Sequence, residues 1–248
     1  MKFLILGFGS AGQRHAANLQ ALRPEAEIVT ADPRGTANAT HRDWRVALAI
    51  PGEITGVLIC SPHDVHLEQI EAVNILGLPI FCEKPLCTIT QTAEGLALAE
   101  RVTVPFAMGF QYRFHHAFDK IMSLAGKITF IGRDYLTHRY GPTVAETMAS
   151  HAIDWALIRF GAAAKVELWT DGIWLSGHIV HESGKCSYFN YDIEADPRIS
   201  RIKCPGGGME LSDCDAAYIK ELKAWLALLN GGERDPRLAT LADAVAVQ

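Results

Sequence analysis

The chain has 248 residues, 49% of them hydrophobic, and a formal net charge of −5. That length supports one large domain or two modest ones with full cores. The acidic balance without a basic run argues against nucleic acid as a partner. No apolar stretch is long enough to span a bilayer, so no membrane partner is expected.

Met1 and Lys2 run directly into a short apolar segment, which is unlike a signal peptide. The segment 3–6 predicts a strand, and Gly7-Phe8-Gly9-Ser10-Ala11-Gly12 follows it at once. A helix is predicted over 11–22, with Ala11, His15, Asn18, Leu19 and Leu22 on one face. Strand, G-x-G-x-x-G turn and helix together form a cradle for a pyrophosphate, held on the helix N-terminus. The next strand, 27–31, ends at Asp32, about twenty residues past the last glycine. A carboxylate there accepts hydrogen bonds from free ribose hydroxyls and repels a 2′-phosphate, which favours NAD. Arg34, two residues on, can pair with such a phosphate and leaves NADP open.

The alternation continues. Helices are predicted over 42–50, 66–76 and 90–101, with strands over 56–60, 79–82 and 105–109. Continuous apolar strands between helices imply a parallel sheet covered on both faces. Past Arg113 the rhythm changes. Helices are predicted over 116–124 and 151–160, a long strand over 127–140, and strands over 166–170, 173–176, 186–193 and 199–204. Residues 206–208 read as a turn, and 215–230 and 238–247 as closing helices. The predicted fold is therefore α/β. Residues 1–113 form a Rossmann domain with a doubly wound parallel sheet, and residues 114–248 an α+β domain with an open, mostly antiparallel sheet. The six cysteines form no C-x-x-C pair, which suits reduced thiols in the cytoplasm. His63/His66, His115/His116 and His178/His181 lack further ligands at zinc-like spacing, so no metal is expected.

Five separated motifs stand in order: Gly7–Gly12 with Gln13-Arg14-His15, then Ser61-Pro62-His63-Asp64-Val65-His66, Phe81-Cys82-Glu83-Lys84-Pro85, Gly109-Phe110-Gln111-Tyr112-Arg113-Phe114 and Ser150-His151-Ala152-Ile153-Asp154-Trp155. Together they resemble the Gfo/Idh/MocA oxidoreductases, whose members commonly act on sugars, cyclitols and related polyols. The resemblance is strong over residues 1–160 and thinner beyond. It implies NAD(P) as cofactor, a sugar-like substrate (a nucleotide sugar or cyclitol included) and a cis bond before Pro85.

The residues support this on their own terms. Lys84 ends a parallel strand at the ligand-binding edge of the sheet, where burial lowers an amine's pKa toward general acid–base use. Histidine as a residue type can exchange a proton near neutral pH, which makes His151 the second catalytic candidate. The resemblance places it beside the substrate's reacting hydroxyl. Asp154, one helical turn on, is read as a substrate contact. Ser61, Pro62, His66, Glu83, Lys84 and Arg113 are expected along the cofactor, with Arg113 equally suited to tying the two domains together. Gln111, Tyr112 and Arg139 are expected at the substrate, with Tyr140 beside Arg139.

The expected activity is hydride transfer between NAD(H) and a carbon bearing a hydroxyl or ketone. Relatives often carry an acid three or four positions before the histidine, where this chain has Met148 and Thr147, and a longer glycine-rich loop in place of 141–150. Those departures leave a second expectation open, a non-catalytic NAD-binding regulatory or sensor protein of the same fold. Trp169, Trp174, Tyr188, Phe189 and Tyr191 supply apolar area on the second sheet, so a homodimer or homotetramer through that sheet is expected.

Overall fold

The computed structural model describes residues 1–35, 39–50, 52–124, 126–135, 144–170, 174–192, 194–204, 207–211 and 214–248. Among these the chain divides into two compact units.

The first unit is built on β1 (Lys2–Leu6), β2 (Glu27–Ala31), β3 (Gly56–Ile59), β4 (Ile80–Glu83) and β5 (Phe106–Gly109). The order is β2-β1-β3-β4-β5, and every neighbouring pair is parallel. Phe3, Leu4, Ile5 and Leu6 are all fully buried, which explains why β1 reads as an unbroken apolar run. The connections carry α1 (Ser10–Leu22), α2 (Trp44–Leu48), α3 (His66–Ile75) and α4 (Thr92–Ala99). The strand order reverses at β1, with β2 on one side and β3 on the other. In an open α/β sheet ligands bind at such a switch point, beyond the carboxyl ends of the strands. The glycine loop leaves β1 at that place.

The second unit begins with a 3₁₀ turn, Gln111–Phe114, followed by α5 (Phe118–Ser123), β6 (Ile128–Tyr135) and α6 (Val144–Phe160). Then come β7 (Ala163–Thr170), β8 (Trp174–His181), β9 (Cys186–Asp192), β10 (Glu194–Cys204) and β11 (Gly207–Glu210). The sheet order is β11-β10-β6-β9-β8-β7, with β6 and β9 parallel and the other pairs antiparallel. One face of α6 (Ala149, Ala152, Trp155, Ala156, Phe160) packs on Ile128, Phe130, Ile179, Phe189 and Ile202. The Phe130 and Phe189 rings stack at 5.5 Å across the parallel pair.

Several predicted boundaries need correction. Helix α6 starts at Val144, seven residues before the predicted start at 151. Ala145, Glu146, Met148 and Ala149 are strong helix formers, and Ser150 is buried inside the helix. The part of 141–150 that the structure describes is therefore helix and not loop. Strand β10 begins well before 199, and its pairing to β6 shifts register between Glu194 and Ile199. Pro197 lies in that stretch, and an irregular pairing tolerates its missing N–H. The glycines read as a turn enter a strand, where Gly207 and Gly208 pair with Cys204 and Lys203.

The largest correction concerns the C-terminus. Helices α7 (Asp215–Leu229) and α8 (Leu241–Val247) were assigned to the second domain, yet Tyr218–Ala246 cluster with Met1–Phe110. Leu222, Trp225 and Leu226 form a buried stripe at helical spacing on α7. Trp225 lies 6.0 Å from the Phe3 ring and 5.7 Å from the Phe81 ring. Gly56 makes that approach feasible, because a Cβ there would stand 2.8 Å from the Trp225 ring. The Met108 N–H also donates to the Ala239 carbonyl at 3.0 Å. The face of the parallel sheet needed a cover, and the returning chain supplies it.

Candidate active site

The loop after β1 has the shape that its glycines predict. Gly7 has φ +89°, and a Cβ on it would stand 2.4 Å from the Ser61 backbone nitrogen. A Cβ on Gly12 would fall 2.1 Å from the Gly7 carbonyl oxygen, so α1 can approach β1 only without that atom. Helix α1 is capped by Gly9, which has no side chain to satisfy the first-turn N–H groups. Those donors, from Ser10 and Ala11 onward, suit a pyrophosphate. Gly12→Ala should cost about 2 kcal/mol or more of stability and weaken dinucleotide binding. Urea melts and calorimetry would measure both.

Asp32 is buried at the end of β2. Its Oδ2 accepts from the Phe8 N–H at 2.8 Å and from Arg34 Nη2 at 3.0 Å. Its Oδ1 accepts from the Arg34 N–H at 2.9 Å and from Nε at 3.2 Å. The Arg34 hydrogen bond outweighs burial and, with the backbone donors, holds the carboxyl below its usual range. The Arg34 side chain is 67% exposed, so releasing Asp32 to ribose hydroxyls costs little. The same guanidinium comes within 3.2 Å of where a Gly9 Cβ would sit. Glycine cradle, helix N-terminus without a side-chain cap and buried acid together fit an NAD-type dinucleotide.

Two further strand ends border the crevice. Ser61 donates its hydroxyl to Gln69 Oε1 at 2.6 Å, and Pro62 caps a short 3₁₀ turn. His66 is buried behind them. Its ring nitrogens lie 2.8 Å from the Ser61 carbonyl and 3.0 Å from the Pro85 carbonyl. The ring stands between the loops after β3 and β4, and in its neutral form one N–H donates to one of the two carbonyls. Burial keeps this imidazole below its ordinary pKa.

Strand β4 ends in Glu83, and the Lys84–Pro85 peptide is cis. Glu83 is buried, and its Oε1 stands 2.8 Å from His15 Nε2. Burial pushes this carboxyl up, but the His15 hydrogen bond and the charges of His15 and Lys84 prevail, and it stays below the usual range. Lys84 is half-buried. Burial pushes its ammonium below the ordinary lysine range, against the opposing charge of Glu83. His15 was not among the predicted site residues. The available signal was a histidine on the apolar face of α1.

The remaining predicted residues lie in the second unit. The His151 ring stacks on Tyr112 at 4.3 Å and 18°. Gln111 is buried in the 3₁₀ turn. Arg113 and Asp154, read as cofactor and substrate contacts, spend their charges on each other. Arg113 Nε donates to both carboxylate oxygens, at 3.1 and 2.9 Å, and Nη2 donates to Oδ1. Both side chains are buried. Arg139 and Tyr140 fall outside the described residues.

Similar proteins support this reading of the fold. The inositol 2-dehydrogenase of Paracoccus denitrificans is 26% identical over 61% of this chain. That match spans 50% of the relative's length, so the chain covers about half of it. The myo-inositol dehydrogenase Hyg17 of Streptomyces leeuwenhoekii is 26% identical across 98% of the chain and 93% of its own length. Among solved structures, the WlbA (WbpB) dehydrogenase of Thermus thermophilus, in complex with NAD and UDP-GlcNAcA, superposes with a TM-score of 0.78 at 17% identity. That superposition covers 100% of this chain and 92% of the other, and it shows a shared fold. Residues 1–110 match the profile of the oxidoreductase family with an NAD-binding Rossmann fold. Residues 1–110 thus carry the NAD-binding Rossmann fold of the Gfo/Idh/MocA oxidoreductases, the family that this part of the chain is similar to.

Proposed function

We propose that this protein is an NAD(H)-dependent dehydrogenase acting on a hydroxyl- or keto-bearing carbon of a sugar-like substrate, with cyclitols and nucleotide sugars as the first classes to try. One observation carries the reading: a half-buried lysine, Lys84, ends a parallel strand at the same sheet edge as the glycine cradle and Asp32. Bound nicotinamide supplies the hydride acceptor or donor. Lys84 takes the hydroxyl proton during oxidation and returns it during reduction, and His151 is the second candidate for that proton. Asp32 accepts the ribose hydroxyls once Arg34 turns away, and the α1 N-terminus holds the pyrophosphate.

Supporting the substrate class are the names of the relatives, which are inositol dehydrogenases. All six cysteines are free thiols, and no described helix is long and apolar enough to cross a membrane. Both fit the cytoplasmic setting proposed here. A homodimer or homotetramer through the second sheet is part of this proposal, supported by exposed Val166, Trp169 and Trp174, while Phe189 and Tyr191, expected to add to that surface, are buried in the core instead.

A single titration series tests the proposal. NAD is added to the pure protein with inositols, sugars and nucleotide sugars in turn, and absorbance of reduced nicotinamide is followed. Turnover with one class is the expected result. Tight NAD binding without turnover across the panel would favour a regulatory NAD-binding protein, the reading that Thr147 and Met148 in place of an acid support. Absence of NAD and NADP binding would defeat both.

A further inference from the structure

His15 and Glu83 stand 68 positions apart and meet in the interior of the first unit. The His15 side chain is fully buried and that of Glu83 is 10% exposed. Burying an acid and an imidazole costs several kcal/mol unless they pair well, and apolar side chains of similar size often do as well for stability. A stability role is therefore a poor account of this pair. Its setting suggests another.

His15 is held edge-on by Phe81, 5.0 Å between centroids, and by Tyr218 at 5.9 Å. Those rings leave it one hydrogen bond among the described residues, the one to Glu83, while its Nδ1 is buried without a partner. Glu83 cannot turn away cheaply. A Cβ on Gly109 would stand 3.3 Å from its carboxylate, so β5 keeps that space open for it. Its Oε2 accepts the Lys84 backbone N–H at 3.3 Å. The carboxylate is thus tied to the backbone of the residue whose amine is to carry the proton.

We infer that His15 is a positioning residue, which by donating from Nε2 fixes Glu83 as an anion whose charge sets the protonation of the Lys84 amine. The other titratable neighbours leave that task to Glu83. Burial pushes the thiols of Cys60 and Cys82 well above their usual range, so both stay neutral. Burial pushes His66 down, so it too stays neutral near pH 7. Burial alone drives the Lys84 amine toward its free-base form, and the fixed anion opposes it. His15 also rides on α1, so the helix that receives the pyrophosphate is tied to the loop that carries the amine. The inference rests on Lys84 as the proton carrier, but its test requires no substrate.

The Lys84 amine is titrated in the full chain by competitive acetylation across pH, read by mass spectrometry of its peptide. In Glu83→Gln the midpoint should fall by about one unit. His15→Leu should move it the same way, and His15→Gln, which keeps an N–H donor, should restore it. An unchanged midpoint in Glu83→Gln overturns the proposal. So does His15→Leu that melts earlier yet titrates like the wild type, since that is a structural effect alone. A wild-type measurement decides the matter if His15→Leu does not fold. Nitrogen-15 shifts of the His15 ring must show a protonated Nε2, and a bare Nε2 would sink the idea. A midpoint that moves as stated in a protein that reduces no NAD would leave this inference standing and overturn the proposed activity instead.

Discussion

Lys84→Ala should lower the rate of hydride transfer by about a thousandfold, with NAD affinity nearly intact. The residue directly follows β4, a different strand from those that carry the glycine loop and Asp32, which are proposed to hold the dinucleotide, so its removal should strip the proton carrier and leave the cradle. Steady-state rates with the substrate found in the panel, beside calorimetry with NAD, separate the two effects. The pH dependence gives a second check. An amine accepts a proton only in its free-base form. Oxidation should therefore rise with pH through the Lys84 midpoint, below about 10.4 because burial lowers it. That limb should vanish in Lys84→Ala. Full activity in the variant would remove Lys84 from the mechanism.

Arg113→Met should cost about 3 to 5 kcal/mol of stability. The substitution leaves the Asp154 carboxylate buried and stripped of a guanidinium that donates to both of its oxygens. Asp154→Leu alone should cost a similar amount, by orphaning the cation. The double variant should recover most of the loss, because neither charge then remains buried without its partner. Urea denaturation of the four proteins measures the coupling. Additive losses, with no recovery in the double variant, would mean that the pair is not a coupled unit. Tyr112, next to Arg113, stacks on His151, so a change in Lys84-independent activity in these variants would report on how the 3₁₀ turn presents that histidine.

The first half of the chain is legible without coordinates because its signals are local. Alternating apolar strands and amphipathic helices impose the parallel sheet. Gly7 and Gly12 stand where only a missing Cβ allows the turn and the helix–strand approach. Asp32 follows at the distance that one βαβ unit dictates. The second unit was legible as a class and poorly in its limits. The start of α6 was missed because 144–150 reads as part of the loop before His151, and β11 because glycines in a strand look like a turn.

What the amino-acid order determined alone is the cradle, the buried strands and the lysine at the sheet edge, each set by neighbours a few residues away. Tertiary structure alone decided which distant groups share a space: His15 with Glu83, Arg113 with Asp154, and Trp225 over Phe3. The physical reason lies in the partners. A buried charge or a large ring is satisfied by whatever packing brings close, and no periodicity along the chain encodes that choice. Pairing gave Arg113 a carboxylate partner in Asp154, and packing returned α7 to the first sheet.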